Sequence, residues 1–172
     1  MNVVEPMDRH AAALERSYDR HRPLVLWPLV GLMGFLSIGG FMGGISFVTD
    51  PTGAGIGARL SWLEETPVSD FLLPGLFLLF VFGFGTLLLV IGLVWRSSPW
   101  VLRRVDAWIG FHWSWAATIL VGLLLVGWIL YEFTIFSDRM ALQPILLAVG
   151  VLMAAISLLP SMRGYCRTAR ER

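Results

Sequence analysis

The stretch FLLPGLFLLFVFGFGTLLLVIGLVW, residues 71–95, decides the fold because it holds no charged side chain over its whole length. About 20 helical residues cross the ~30 Å hydrocarbon core of a bilayer, so this stretch is long enough to span it. The backbone meets no water at that depth and must satisfy its own hydrogen bonds, which favours a helix. The sequence therefore predicts a transmembrane helix here.

Three further apolar blocks have a similar length, and they cover residues 24–48, 109–136 and 144–160. The overall composition agrees, because 56% of the residues are hydrophobic and only 15% are charged. A soluble domain has about 25% charged residues. We therefore predict an all-α protein in which residues 24–160 form one domain, a four-helix transmembrane bundle with spans at about 24–48, 71–95, 109–136 and 144–160.

Two flanking segments lie outside this domain. In residues 1–23, Met7, Ala11, Leu14 and Tyr18 recur at helical spacing, which is typical of an amphipathic helix on the membrane surface. A partly frayed tail with one apolar face is the alternative. Residues 161–172 form a short basic tail.

The arginines predict the orientation of the bundle. All 13 basic residues are arginine, and eleven of them fall in the N-terminal segment, the 96–108 connection or the C-terminal tail. Only Arg59 and Arg139 fall on the other side. By the positive-inside rule, both termini are cytoplasmic. The net charge of +1 gives no electrostatic reason to expect a nucleic-acid partner.

Aromatic residues cluster where the spans should meet the headgroups, and we interpret them first as membrane anchors. A ligand cage built from them is the alternative. At the inner interface they include Trp108, Trp113 and Trp115, and at the outer one Trp62, Trp128 and Tyr131.

Glycines in the segment GGFMGG, residues 39–44, predict close helix packing. Gly39 with Gly43 and Gly40 with Gly44 are four residues apart, so each pair lies on one helix face. Small residues at this spacing let a second backbone approach. Packing inside the bundle is favoured over a dimer contact, but both remain open.

Several classes of membrane enzyme lack their residues in this chain. Cys166 is the single cysteine, which excludes an internal disulfide or a paired-thiol centre. Only His112 lies near a span, whereas a bis-histidine haem needs two. HExxH, Walker A and GxSxG motifs are also missing. We predict no catalytic residue, no metal and no cofactor.

Two polar residues remain as candidates. His112, among tryptophans, is either an interfacial residue or part of a proton relay. Glu132 lies ~6 Å along the helix from the polar loop that begins at Ser137, so water reaches it. It is either interfacial or a binding or proton-transfer group at an outward-facing cavity. Arg59 or Arg139 would then neutralise it.

Three segments carry a resemblance to a known group. TPVSDFLLPGLFLLFV (66–81), GWILYEF (127–133) and LQPILLAVG (142–150) resemble segments of a group of small four-span bacterial membrane proteins of unknown activity. The resemblance implies the same architecture in a bacterial cytoplasmic (inner) membrane and brings no mechanism. It also implies that the matching segments converge at the outer mouth, with Trp62, Asp70, Pro74, Glu132 and Gln143.

These observations support two functional hypotheses. The first is a non-enzymatic accessory or scaffold subunit, whose partners are the lipid bilayer and either a larger membrane complex or further copies of itself. The second is a carrier or binder of a small hydrophobic molecule of the lipid or quinone type, with Glu132 as its polar group. The candidate polar site then comprises Glu132, Asp70, Arg59, Arg139 and Gln143.

Overall fold

The computed structural model describes residues 22–64, 66–96, 100, 102–135 and 142–167. The predictions for residues 1–21 and for residues 168–172 of the C-terminal tail lie outside these residues. The described part of the chain is helical and contains no β-strand, which confirms the all-α prediction at that level. Six helices are used below: α1 Leu26–Thr49, α2 Leu72–Trp95, α3 Arg103–Ile109, α4 Trp113–Ile135, α5 Leu142–Leu158 and α6 Pro160–Cys166.

Helices α1, α2 and α4 are each long and apolar enough to cross a membrane. A fourth crossing results if α5 and α6 count as one span with a 68° bend between them. The bend follows from Pro160, because a residue before proline avoids the helical conformation and Leu159 has ψ 143°. Three to four apolar helices are compatible with a multi-pass membrane protein.

Helix α2 is not uniform. It begins as an α-helix at Leu72–Phe77, continues as a π-helix over Leu78–Gly85 and returns to an α-helix at Thr86–Trp95. The predicted span 71–95 and the observed helix therefore coincide within one residue. The π-helical stretch widens the backbone in the middle of the span, where hydropathy carries no signal of it.

Helix α4 begins four residues later than the predicted span. Gly110 has φ 75° and ends α3 in the left-handed conformation. Phe111 then pairs with Arg167 in an isolated antiparallel bridge. The first turn of α4 is capped by Asp106, whose Oδ1 accepts a hydrogen bond from the backbone N–H of Trp113 at 2.6 Å.

Glycines bring the long helices close together. A Cβ on Gly40 would lie 2.5 Å from the backbone nitrogen of Gly83, so α1 and α2 are in backbone contact. The Ser37 hydroxyl donates to the Gly83 carbonyl across the same contact at 3.0 Å. Between α4 and α5, Gly122 and Gly150 face each other in the same way, and a Cβ added to either one would lie 2.8–2.9 Å from the carbonyl oxygen of the other. Both pairs of helices run antiparallel.

The interior and the exterior of the helices are both apolar. Helix α1 also contacts α5, and α2 also contacts α4, so each long helix has two neighbours. The outward faces expose large side chains, including Ile38, Met42 and Leu120, each more than 60% exposed. Apolar surface of this extent requires a partner other than water. The most buried side chains between the helices include Leu29, Met33, Phe82, Leu125, Ile129 and Met153.

Candidate functional site

We call one end of the helices the Glu132 end. Here α1 ends, α2 begins, α4 ends and α5 begins. The connection 50–71 covers this end and is held at both of its ends, because the Phe71 amide donates to the Pro51 carbonyl at 2.9 Å. The Phe71 ring also stacks on Phe47 at a centroid distance of 4.7 Å. Within this connection, Leu60–Leu63 form a short 3-10 helix.

Asp50 organises the first half of this connection. Its carboxylate accepts hydrogen bonds from the hydroxyl and amide of Thr52, at 2.6 and 3.1 Å, and from the amide of Gly55 at 2.9 Å. These donors favour the ionised form. The Thr52 hydroxyl, and next the Gly55 amide, therefore hold the pKa of Asp50 below its ordinary value.

Beneath this connection lies a cavity of about 600 Å³, which we call the Glu132 cavity. Its wall is contributed by α1, α2, α4, α5 and the connection 50–71. Most of the lining side chains are aliphatic or aromatic. Sites for small molecules have volumes of about 300–1,000 Å³, apolar walls and a few polar groups, so this cavity has the usual size and character.

Glu132 is the polar centre of the wall. Its Oε1 accepts a hydrogen bond from Nε1 of Trp128 at 2.6 Å, and its Oε2 accepts one from Nε2 of Gln143 at 3.3 Å. Trp128 lies one turn earlier on α4, whereas Gln143 comes from the start of α5 and is 4% exposed. The Trp128 ring in turn stacks on Phe77 of α2 at 4.8 Å. Side chains from three helices thus fix the position of the carboxylate.

Two members of the predicted polar site, Asp70 and Arg59, do not join Glu132. Asp70 accepts a hydrogen bond from the Leu72 amide at 3.0 Å and so stabilises the start of α2. Neither Asp70 nor Arg59 lines the cavity, although Pro74 does. Arg139 lies outside the described residues. The predicted site therefore separates into a Glu132–Gln143 pair at the cavity and a helix-capping Asp70.

The aromatic residues of the predicted belts have different surroundings. At the Glu132 end, Trp62, Trp128 and Tyr131 all line the cavity. At the opposite end, Trp108 is 89% exposed, as expected of a membrane anchor. Trp115 instead donates from Nε1 to the Ser157 carbonyl at 2.7 Å and joins α4 to α5. Trp113, in turn, packs over Gly92 of α2, where a Cβ would lie 2.6 Å from the indole ring.

The four glycines of GGFMGG also fall into two pairs with different surroundings. Gly40 and Gly44 form the close contact with α2, where added Cβ atoms would lie 2.5–2.7 Å from the α2 backbone. Gly39 and Gly43 line the Glu132 cavity. A Cβ on Gly39 would have nothing within 4 Å, and one on Gly43 would meet only a Leu78 methyl at 3.5 Å. One pair therefore keeps the helices together, and the other leaves space beside them.

His112 lies at the opposite end, in a separate polar cluster. It is 5% exposed, and its Nδ1 is 2.7 Å from the Ser114 hydroxyl oxygen. Its amide donates to the Cys166 carbonyl at 2.7 Å. Burial lowers the pKa of His112, and the carboxylate of Asp106 opposes this effect. His112 and Glu132 are separated by ~30 Å along the chain axis, as 20 helical residues require, so they belong to different sites.

No family model, no curated protein and no solved structure matches the chain.

The chemistry of the cavity follows from its side chains. A carboxylate accepts hydrogen bonds or pairs with a cation when it is ionised, and it donates a hydrogen bond when it is protonated. Among the described residues there is no group of three or more His, Cys, Asp or Glu that would hold a metal ion. The arrangement is therefore suited to binding and orienting an apolar molecule through one polar contact. Sequence reasoning identified Glu132 and Gln143 but missed Phe77, whose contact with Trp128 depends on the packing of α2 against α4.

Proposed function

We propose that the protein is an integral membrane protein that binds or carries a small hydrophobic molecule of the lipid or quinone type. The observation that supports this proposal is the Glu132 carboxylate, held by Trp128 and Gln143 in the wall of an apolar cavity of about 600 Å³. A carboxylate at this position in a hydrophobic chain is a functional hypothesis by default. The cavity adds space for a ligand next to it.

The proposal includes a four-helix transmembrane bundle in the bacterial inner membrane with both termini in the cytoplasm. Among the described arginines, Arg22, Arg96, Arg104 and Arg163 belong to the end opposite Glu132, whereas Arg59 lies at the Glu132 end. This distribution supports a cytoplasmic location for the arginine-rich end. The Glu132 cavity then faces outward. Membership in the resembled group of four-span bacterial proteins stays a prediction.

A larger side chain that fills part of the cavity tests the binding proposal. In Gly39→Leu the new side chain enters open space that borders the cavity, so ligand should be displaced without a backbone clash. Gly31→Leu is the matched control, because Gly31 is on the same helix, also has open space, and does not line the cavity.

The measurement is native mass spectrometry of each protein released from lipid nanodiscs. We expect the wild type and Gly31→Leu to retain one small apolar molecule and Gly39→Leu to lose it. Equal retention by Gly39→Leu and the wild type, or no retained molecule in any of them, would contradict the proposal.

The accessory or scaffold subunit is a second candidate, supported by Gly31 and Gly34. Both glycines of α1 have nothing within 4 Å of an added Cβ, so another transmembrane helix would be able to approach there. A stoichiometric protein partner in gently purified material supports this candidate. A monodisperse small oligomer that carries only a lipid or quinone argues against it.

A further inference from the structure

Among the described lining residues of the Glu132 cavity, Glu132 is the one that carries a charge. These described residues include no arginine, lysine or histidine. Arg59, the described arginine of the connection above the cavity, is exposed and lies outside the lining. In the described part of the wall, an anionic ligand would therefore meet a carboxylate without a compensating positive group.

The hydrogen bonds of Glu132 suit an ionised carboxylate. Both carboxylate oxygens accept from N–H donors, one from Trp128 and one from Gln143. Both donors are neutral, so they orient the charge without cancelling it. A charge removed from water is costly unless a group of opposite sign accompanies it. The group that would complete this site is a cation.

Aromatic rings line the same cavity as the carboxylate. Trp128 donates to the carboxylate and stacks on Phe77, and Tyr131 and Trp62 also line the cavity. The face of an aromatic ring attracts a cation within about 6 Å of its centroid, and the effect grows when water is excluded. Aliphatic side chains such as Leu125 and Ile129 provide the remaining apolar wall.

We propose that the Glu132 cavity selects lipophilic cations, such as alkyl- or aryl-substituted ammonium and phosphonium ions, over neutral and anionic molecules of the same shape. The carboxylate and the ring faces contact the charged centre, and the apolar wall contacts its substituents. This inference rests on the proposed binding function and narrows its ligand class, because it favours positively charged lipid-like molecules over neutral quinones.

Three probes of related shape test the inference: tetraphenylphosphonium as the cation, tetraphenylborate as the anion and triphenylphosphine oxide as the neutral molecule. Binding is measured by equilibrium dialysis against the protein in lipid nanodiscs, with protein-free nanodiscs as the blank. We expect the wild type to bind the cation most tightly. Glu132→Gln should weaken cation binding by about 30-fold, which corresponds to about 2 kcal/mol, and leave the neutral probe within about 3-fold.

Two further variants keep the test decisive. Glu132→Asp retains the charge and should retain the preference for the cation, so it separates the loss of charge from a folding defect. Gly31→Leu should behave as the wild type. Equal binding of all three probes, with loss of all three in Gly39→Leu, overturns the cation selectivity and leaves the binding function standing. No binding of any probe to the wild type above the blank also overturns the cation selectivity, whereas the binding function itself is overturned when native mass spectrometry finds no retained molecule.

Discussion

Gly40 lies at the closest approach of α1 and α2, and Gly40→Ala tests that contact directly. The new Cβ would be 2.5 Å from the nitrogen of Gly83 and 2.6 Å from the carbonyl carbon of Phe82. Both are backbone atoms of a helix and do not rotate away. Ordinary van der Waals contact begins at 3.4 Å, so the helices must separate locally by about 0.9 Å.

The expected change in the free energy of unfolding combines two destabilising effects and one stabilising effect. Overpacking of this kind costs about 1–3 kcal/mol, and alanine in place of a helical glycine returns about 1 kcal/mol. Separation of the helices also lengthens the hydrogen bond from Ser37 to Gly83, which is worth about 1 kcal/mol. We therefore expect Gly40→Ala to lower the free energy of unfolding by about 1–2 kcal/mol.

Gly31→Ala is the matched control, since Gly31 lies on the same helix with nothing within 4 Å of an added Cβ. It should raise the free energy of unfolding by up to about 1 kcal/mol. The assay is unfolding in mixed micelles with increasing dodecyl sulfate, followed by tryptophan fluorescence and far-ultraviolet circular dichroism. If Gly40→Ala is as stable as Gly31→Ala, the two helices do not meet at Gly40 and the packing argument fails.

Three further predictions concern hydrogen bonds and titration. Burial lowers the pKa of His112 from 6.5, so the free energy of unfolding should fall as the pH drops through 6.5. In thermal unfolding between about pH 8 and about pH 5, His112→Gln should lose less stability than the wild type. An unchanged pH dependence would exclude His112 as its source. Trp128→Phe keeps a ring to stack in place but removes the donor to Glu132, which should cost about 1.5–3 kcal/mol in the micelle assay; wild-type stability would show that this hydrogen bond contributes nothing. The pKa of Asp50 is held below 3.8, so the ionised carboxylate should protect the Gly55 amide from hydrogen exchange above pH 3.8. This protection should decline as the pH falls below 3.8. Asp50→Asn should show no such pH-dependent step.

Hydropathy located the helices because it is a local property of the chain. The span predicted at 71–95 differs by one residue from α2, which covers Leu72–Trp95. The start of α4 escaped prediction because it depends on the positive φ of Gly110 and on the pairing of Phe111 with Arg167, a residue more than fifty positions away. Apolar composition carries no information on either feature.

The site was predictable where its contacts are local or where the resembling segments meet. Trp128 and Glu132 are four residues apart on one helix, so their hydrogen bond follows from helical spacing. Gln143 reaches the same carboxylate from the next helix, and the resemblance to four-span proteins placed it at the same mouth. Phe77 and the cavity depend on how α2 packs against α4, which no single segment encodes. The absence of Asp70 from the cavity follows from its hydrogen bond to the Leu72 amide.

The two glycine pairs of α1 should respond differently to mutation over evolutionary time. Changes at Gly40 or Gly44 alter the distance between two backbones and are selected through folding. Changes at Gly39 or Gly43 alter only the free space beside the helix, so they are selected through what the cavity admits. Residues adjacent in sequence thus give the lineage two independent adjustments, and under the proposed binding function ligand size would drift by one side chain at a time while the packing of α1 on α2 stays intact.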